Sequence, residues 1–158
     1  MDDLAKRVGQ RLKAASAVLV TAESCTGGWA AQVVTSVAGS SAWFDRGFIT
    51  YSNAAKAEVL GVRAETLAKH GAVSEETARE MALGALARSQ GSVALSITGV
   101  AGPGGGTKEK PVGTVCFAWA RVDRVRAETK RFSGDRESVR RQSVIRALEG
   151  VLSTLDGG

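Results

Sequence analysis

The sequence predicts an α/β fold: a three-layer α/β/α domain built on a mixed, mainly parallel sheet. Short apolar runs typical of buried strands alternate along the chain with segments of helical spacing. Two segments of alternating polarity near the C-terminal end can pair as a hairpin, which would add antiparallel strands. Of 158 residues, 44% are hydrophobic and 23% are charged, which favours a globular chain over a disordered one. We therefore expect a single domain over residues 1–158.

The first part of the chain alternates helix and strand. Leu4, Val8 and Leu12 share one helical face, and the apolar run at 17–20 is typical of a buried parallel strand. Paired glycines then open a helix, and a later glycine, Gly61, ends another. The predicted elements are a helix over residues 4–15, a strand over 18–21, a helix over 28–36, a strand over 43–50 and a helix over 53–60.

The second part adds two helices, a strand, a glycine-rich loop and the hairpin. Ser74 precedes two glutamates, the residue types that favour a helix N-terminus. The predicted elements are helices over residues 63–69 and 74–90, a strand over 92–98, a loop over 99–111, strands over 113–121 and 124–132, and a helix over 135–155. In the last strand we expect two side chains to face the core, Val125 and Ala127, and four to face water, Arg124, Arg126, Glu128 and Lys130.

Charge and composition narrow the ligand classes. The formal net charge of +5 suits anions, either nucleic acid or phosphorylated metabolites. Aromatic residues make up only 5% of the chain and do not alternate with the basic residues near the C-terminal end, so nucleic acid is disfavoured. The uncharged stretch over 24–44 is rich in glycine, serine and threonine and is too polar for a membrane span.

The cysteine and histidine counts indicate a reducing compartment. Cys25 and Cys116 are the two cysteines and His70 is the single histidine, with no CxxC motif. These counts predict neither a disulfide framework nor a zinc site. His70 precedes a glycine at a predicted helix end, where a structural role is favoured. We expect a cytoplasmic protein without a metal or another cofactor.

The most informative motif is TAESCTGG at residues 21–28, where a buried strand runs into a turn that opens a helix. Unpaired N–H groups at a helix N-terminus favour developing negative charge, and glycine permits a close approach to the backbone. Ser24 and its oxyanion donors could therefore share one turn. The alternative is that Ser24 or Thr26 only caps the helix. Cys25 could attack instead, but Glu23 beside it would raise the pKa of its thiol, so we favour Ser24.

The motif YSNAAK at residues 51–56 follows the second predicted strand, at the end of a sheet where α/β proteins bind ligands. No histidine motif accompanies Ser24, so Lys56 is the candidate general base, provided that burial lowers its pKa. Tyr51 could relay a proton or orient the amine. The alternative is an ordinary surface lysine on a capped helix.

Two more basic or glycine-rich segments could bind an anion. The loop at 99–108 follows a strand, and its N–H groups could form an anion nest, although it matches neither a P-loop nor GxGxxG. The alternative is a flexible surface loop. Arg136, Arg140 and Arg141 begin the last helix, where they oppose the helix dipole, so a phosphate or another subunit could explain them. A solvated face is the interpretation we favour.

Five motifs, in order, closely resemble the CinA C-terminal domain family: residues 22–28, 51–56, 70–74, 99–103 and 110–115. The resemblance covers about residues 4–155. It implies the activity of the nicotinamide-nucleotide amidases in that family, which convert nicotinamide mononucleotide to nicotinic acid mononucleotide and ammonia. It also implies the absence of the separate N-terminal domain that longer members carry.

The resemblance also implies roles for particular residues. Ser24 matches the family's nucleophile, Lys56 its base and Tyr51 a supporting group, while the glycine loop would hold the ribose phosphate or shape the oxyanion site. The expected substrate-binding residues are Cys25, Thr26, Gly27, Gly28, Asn53, Gly99, Ala101, Gly102 and Pro103. The expected partners are a pyridine nucleotide and, as a candidate assembly, a second copy in a homodimer. The alternatives are a catalytically silent nucleotide-binding or protein-interaction module of the same fold and another small-amide hydrolase.

Overall fold

Helices cover both faces of a five-stranded mixed sheet in the computed structural model, which describes residues 1–157. The strand order is β2-β1-β3-β4-β5; β1 pairs in parallel with both β2 and β3, and the pairs β3–β4 and β4–β5 are antiparallel. The strands are β1 Leu19–Glu23, β2 Phe44–Ile49, β3 Val93–Gly99, β4 Thr114–Arg121 and β5 Arg124–Arg131. The predicted fold class is therefore confirmed, and the parallel strands form the half of the sheet in which β1 is central.

Two apolar cores lie on opposite faces of the sheet. The helices are α1 Asp2–Ala14, α2 Trp29–Thr35, α3 Asn53–Leu60, α4 Ala64–His70, α5 Glu75–Ala87 and α6 Arg136–Leu155. Buried residues of α1, α2 and α6 pack on one face, and those of α3 and α5 pack on the other. Successive strand residues alternate between the cores: Leu19, Leu95 and Phe117 join the first, and Val20, Ala94 and Ala118 join the second.

Polar caps fix where the helices near the cleft begin. The side chain of Ser52 accepts a hydrogen bond from the N–H of Ala55 at the start of α3. Ser74 and Asp135 cap α5 and α6 in the same way. Gly61 ends α3 at a φ of +71°, a conformation that glycine adopts without strain.

The hairpin forms as predicted, but one face of β5 differs from the prediction. Arg124 and Lys130 are exposed, whereas Arg126 and Glu128 are half-buried beneath α6. Arg146 of α6 donates hydrogen bonds of 2.6 and 2.8 Å to Glu128, and the Arg126 guanidinium lies 4.3 Å from the centre of the Trp119 ring. The prediction of a water-facing side was wrong for these two residues because alternation separates two faces without showing what covers the polar one.

The expectations about a membrane span, a metal site and disulfides can be compared with residues 1–157 of the structure. No helix in this range combines the length and apolarity needed to cross a bilayer. Nor does this range hold a group of three or more His, Cys, Asp or Glu residues placed to bind a metal ion. Cys25 and Cys116 are both buried and free.

Candidate active site

A cleft of about 290 Å³ opens beyond the carboxyl ends of β1 and β3. Its walls come from the Ser24–Cys25 turn, from Tyr51 and Lys56 around the start of α3, from the segment just before α5, and from the glycine-rich loop that follows β3. Arg136, the first residue of α6, completes the lining. This is the edge of the sheet at which α/β proteins bind ligands, because parallel strands end together there.

Ser24 and Lys56 meet at the bottom of this cleft. The Lys56 Nζ lies 2.9 Å from Ser24 Oγ, although the two residues are 32 positions apart. The amine also donates to the backbone carbonyls of Thr50, at 2.9 Å, and Tyr51, at 3.1 Å. Lys56 is only 1% exposed and Ser24 only 7%. The alternative considered from the sequence, that Lys56 is an ordinary surface lysine, is therefore wrong.

The surroundings of the Lys56 amine favour its neutral form. Burial lowers its pKa from the ordinary lysine value. The oxygen atoms that it contacts are a hydroxyl and two carbonyls, and among residues 1–157 no carboxylate forms an ion pair with it. A neutral amine can donate two hydrogens to the carbonyls and accept the Ser24 proton on its lone pair. The geometry therefore suits proton transfer from Ser24 to Lys56.

Glu23 fastens the turn that carries Ser24. Its carboxylate is buried and accepts hydrogen bonds from Thr26 Oγ1, at 2.7 Å, and from the N–H groups of Ala30, at 2.8 Å, and Ala31, at 3.1 Å. The end of β1 is thereby tied to the first turn of α2, where a negative charge is favourable. Sequence reasoning missed this role because it considered Glu23 only as a neighbour of the thiol. An acidic residue just before a helix start was the available signal.

Paired glycines give the same turn its shape. Gly27 has a φ of +59° and Gly28 a φ of +104°, both in the left-handed region that favours glycine. The N–H of Gly27 donates to the carbonyl of Ser24 at 3.0 Å, and the N–H of Ser24 donates to Ile97 of β3 at 2.9 Å. The backbone on both sides of the Ser24 hydroxyl is therefore held.

Cys25 is poorly suited to act as the nucleophile. Its thiol is buried, and burial raises its pKa to about 11, an effect that the nearby Arg140 charge only partly offsets. The thiolate is the reactive form of cysteine, so this thiol is unreactive near neutral pH. Glu23 also raises the pKa of this thiol, as the sequence analysis expected, but burial is the larger cause.

Two of the three arginines at the start of α6 contact the site. Arg140 is half-buried, so the solvated face favoured from the sequence is wrong for it, whereas Arg136 is exposed and contacts the site as well. Arg136 donates to the carbonyl of Gly102 at 2.7 Å and to the Tyr51 hydroxyl at 3.1 Å. Arg140 donates to the carbonyls of the Ser24 turn. Arg141, in contrast, is exposed and pairs with Glu137 at 3.2 Å. The contacts of Arg136 and Arg140 join residues 34 to 115 positions apart, and no local motif signals them.

The predicted site residues divide into two groups. Those that line the cleft are Ser24, Cys25, Tyr51, Lys56, Gly99 and Ala101. Those that lie outside its lining are Thr26, Gly27, Gly28, Asn53, Gly102 and Pro103. Of the second group, Thr26 is fully buried against Glu23 and Asn53 is exposed at the start of α3.

The placement of Tyr51 differs from the expected one. Its side chain is 61% exposed and its hydroxyl contacts Arg136, while its backbone carbonyl, not its hydroxyl, contacts the Lys56 amine. Sequence reasoning also missed Thr98, which lines the cleft and donates to the carbonyl of Ala72 at 2.8 Å, fixing the opposite wall. Thr98 is the penultimate residue of β3, and a strand end at this edge was the available signal.

The chain is similar in sequence and in structure to known proteins of one family. The CinA C-terminal domain family model matches residues 1–155. The chain belongs to this family. It is 60% identical over 148 residues to a protein of Escherichia coli (strain K12) named nicotinamide-nucleotide amidohydrolase PncC, covering 92% of this chain and 89% of that protein. A Pseudomonas putida protein of the same name is 52% identical over 149 residues, covering 94% of this chain and 93% of the relative.

Solved structures of family members share the fold over nearly the whole chain. A competence-damaged protein (CinA) superfamily protein from Klebsiella pneumoniae superposes with a TM-score of 0.96 at 42% identity, covering 99% of this chain and 98% of that one. The competence/damage inducible protein CihA from Agrobacterium tumefaciens gives a TM-score of 0.94 at 46% identity, with coverages of 98% and 94%. The order and packing of elements described above are thus those of the family.

Proposed function

We propose that this protein hydrolyses the carboxamide of nicotinamide mononucleotide, giving nicotinic acid mononucleotide and ammonia. The observation that carries the proposal is the 2.9 Å contact between the buried Lys56 amine and the Ser24 hydroxyl at the bottom of a cleft. The names of the relatives in E. coli and P. putida, which align with more than nine-tenths of this chain, support the choice of substrate.

The proposed reaction passes through an acyl-enzyme. Neutral Lys56 takes the proton from Ser24 Oγ as the oxygen attacks the carboxamide carbon, and the resulting ammonium protonates the departing nitrogen, so that ammonia leaves as the C–N bond breaks. Water then attacks the ester carbon and gives a proton to Lys56. That proton returns to Ser24 Oγ as the ester bond breaks, which releases the acid and restores the enzyme.

The negative charge of the tetrahedral intermediate needs donors next to Ser24. The backbone N–H groups of Cys25 and Thr26 follow the nucleophile directly, and within residues 1–157 neither has another residue as its hydrogen-bond acceptor. Donors that are already oriented lower the barrier more than donors that must reorganise during the reaction. We therefore assign the oxyanion to these two N–H groups.

The substrate phosphate is assigned to Arg136 and the glycine loop. Among residues 1–157, the cleft is lined by two basic side chains, Arg136 and Lys56, and by no acidic one. Arg136 uses two of its nitrogens on Gly102 and Tyr51, which leaves further guanidinium N–H groups for an anion. The glycine-rich loop that begins at Gly99 lines the cleft together with Arg136. Binding energy from the remote phosphate would then orient the carboxamide against Ser24.

Tyr51 acts in this proposal as a positioning residue rather than as an acid or base. Its carbonyl orients the Lys56 amine, and its hydroxyl holds the Arg136 guanidinium. The same backbone segment therefore links the base to the phosphate-binding arginine.

The compartment, the domain organisation and the oligomeric state are further expectations that accompany the proposal. The free, buried cysteines fit a reducing compartment such as the cytoplasm. A single domain over residues 1–158 and a homodimer stay predictions, and sedimentation velocity of the purified protein checks the second.

The test compares three substrates that differ in their remote groups. We expect kcat/KM for ammonia release to fall from nicotinamide mononucleotide to nicotinamide riboside and again to nicotinamide. Arg136→Ala should lower kcat/KM for the mononucleotide toward that for the riboside and leave the riboside value nearly unchanged. Arg141→Ala, which removes the same charge from the exposed side of α6, is the matched control.

Each other outcome selects a different function. Equal kcat/KM values for the three compounds would reject phosphate recognition and favour a general small-amide hydrolase. No ammonia from any of them, with the mononucleotide still bound, would favour the silent nucleotide-binding module.

A further inference from the structure

We infer that Arg140 is a positioning residue for the proposed reaction: it fixes the peptide groups that follow Ser24, so that their free N–H groups can bind the oxyanion. The inference rests on the proposed function, since it concerns the intermediate formed at Ser24. Arg140 lies one turn after Arg136 on α6, but only Arg136 belongs to the cleft lining. Arg140 therefore acts on the site indirectly, through its contact with the turn that lines the cleft.

The contacts of Arg140 are with backbone oxygens of the catalytic turn. Its Nε donates to the carbonyl of Cys25 at 3.0 Å, and a terminal nitrogen donates to the carbonyl of Thr26 at 3.3 Å. A guanidinium presents its donors in a rigid plane, so one side chain can hold two adjacent carbonyls at once. The half-buried position of Arg140 protects these hydrogen bonds from competition with water.

Holding a carbonyl also fixes the direction of the N–H in the same peptide group. The cis peptide bond that occurs within residues 1–157 joins Gly102 and Pro103, so the peptides of this turn are trans. In a trans peptide the C=O and N–H bonds point in opposite directions. With the Cys25 carbonyl turned toward Arg140, the Thr26 N–H points away from Arg140.

The next peptide extends this control back to the residue after the nucleophile. The carbonyl of Thr26 is held by Arg140, while the N–H of Gly27 in that peptide donates to the carbonyl of Ser24 at 3.0 Å. This hydrogen bond in turn sets the direction of the Cys25 N–H, and Cys25 lines the cleft. Three consecutive peptide groups are therefore ordered by contacts that begin at one guanidinium.

Charge strengthens the effect of this geometry. A cation on a carbonyl oxygen polarises the peptide and makes its N–H a better donor, because hydrogen bonds in a chain reinforce one another. On the opposite side of the turn, the buried Glu23 carboxylate holds the Thr26 side chain and the start of α2. Arg140 and Glu23 thus both hold the turn. Among residues 24–28, the N–H groups of Cys25, Thr26 and Gly28 have no acceptor in another residue, and the first two of these follow the nucleophile directly.

Arg141 provides a close control for Arg140. Both guanidinium groups lie over the Trp29 ring, at 5.5 Å for Arg140 and 5.2 Å for Arg141. Both carry the same charge at the same end of α6. Only Arg140 contacts the carbonyls of the turn, whereas Arg141 pairs with Glu137. A loss of rate in Arg140→Ala alone therefore points to the contacts with the turn rather than to the lost charge or the lost contact with Trp29.

The kinetic test uses nicotinamide mononucleotide with Arg140→Ala, Arg140→Lys and Arg141→Ala. We expect Arg140→Ala to lower kcat about 100-fold, the loss typical of a missing oxyanion donor, with KM within a few-fold of wild type. Arg140→Lys should retain part of the rate, since an ammonium can bind one carbonyl but does not reproduce the planar pair of donors. Added guanidinium ion should partly restore kcat in Arg140→Ala, and Arg141→Ala should behave as wild type.

A second measurement needs no turnover. In ¹H–¹⁵N spectra of the free protein, Arg140→Ala should shift the amide resonances of Cys25 and Thr26 and speed their exchange with solvent, while Arg141→Ala should not. Thermal unfolding of each variant checks that the fold is intact.

Three results would overturn the inference: kcat within about twofold of wild type in Arg140→Ala, a rise in KM alone, or unchanged amide resonances. A rise in KM alone would make Arg140 a substrate-binding residue. If the wild-type protein releases no ammonia from the mononucleotide, the proposed function fails, and the amide resonances still decide whether Arg140 orders the turn.

Discussion

Two regions of this protein hold charged side chains away from water, and they treat the charge in opposite ways. Between α6 and β5, Arg146 donates two hydrogen bonds of 2.6 and 2.8 Å to Glu128, so that each charged group has a partner of opposite charge. In the cleft, Lys56 is 1% exposed and contacts only a hydroxyl and two carbonyls. The first arrangement stabilises the charged forms, whereas the second destabilises the charged form of the amine.

The pKa shifts reflect this difference. The Arg146 guanidinium lowers the pKa of Glu128, which keeps the carboxylate ionised. Burial lowers the pKa of Lys56, which increases the fraction of the neutral amine at a given pH. An unpaired ionisable group in a cleft is a better candidate for chemistry than a paired one, because its proton can leave or return without breaking an ion pair. The comparison predicts that changes at Lys56 affect turnover and changes at Glu128 affect stability.

Of the effects that this comparison predicts, the largest is at Lys56. Both Lys56→Ala and Lys56→Arg should lower kcat by about 10²- to 10⁴-fold, the range of a lost general base, because arginine does not release its proton at working pH. Steady-state ammonia release from nicotinamide mononucleotide measures both variants. If Lys56→Arg retained activity, the residue would act through its charge and the base would lie elsewhere.

The next effect is on the pH dependence of the wild-type enzyme. Only the neutral amine can accept the Ser24 proton, so kcat/KM should rise about tenfold per pH unit below the pKa of Lys56 and level off above it. Because burial lowers that pKa, the midpoint should lie below the ordinary lysine value. A pH–rate profile in buffers of constant ionic strength decides this. A rate that is flat or falls with rising pH would contradict the assigned role.

The smallest effect is expected at Glu128, and on stability alone. Glu128→Gln should lower the free energy of unfolding by about 1–3 kcal/mol, since it weakens a charged hydrogen-bonded pair, while kcat changes less than about twofold. Glu149→Gln removes the exposed partner of Arg146 at 3.9 Å and should cost about 0.5 kcal/mol or less. Urea unfolding measures all three proteins.

Acid should erase the difference at Glu128. The pKa of Glu128 is lowered in the folded state, so its contribution is fully present above the unfolded value, about 4.3, and is lost as the pH falls through the folded value. The stabilities of wild type and Glu128→Gln should converge over this range. A gap that stayed constant would mean that the ion pair is not its source.

The elements that local patterning predicts are those whose signals lie within a few residues. The hairpin across Val122 and Asp123 and the helix capped by Ser74 follow from alternation and from capping chemistry, and both form. The parallel strand predicted over 18–21 follows from a short apolar run, and it forms as β1, which extends two residues further, to Glu23.

The features that could not be predicted from the sequence depend on contacts between distant segments of the chain. Arg140 was assigned to a solvated face, yet it is half-buried against carbonyls 114 and 115 positions away, and the exposed Arg136 contacts partners 34 and 85 positions away. Whether a polar face meets water or another helix is decided by packing, and no spacing rule encodes it. Glu128 was misjudged for the same reason, because α6 covers its strand.

The most direct test of the account measures ammonia release from nicotinamide mononucleotide by wild type, Ser24→Ala and Cys25→Ala in parallel. Ser24 supplies the attacking oxygen in this account, while the buried Cys25 thiol, with a pKa raised to about 11, does not react. Wild type and Cys25→Ala should release ammonia and nicotinic acid mononucleotide in equal amounts, and Ser24→Ala should be slower by about 10³-fold or more while remaining folded. Wild-type rates in Ser24→Ala, or loss of activity in Cys25→Ala alone, would contradict it.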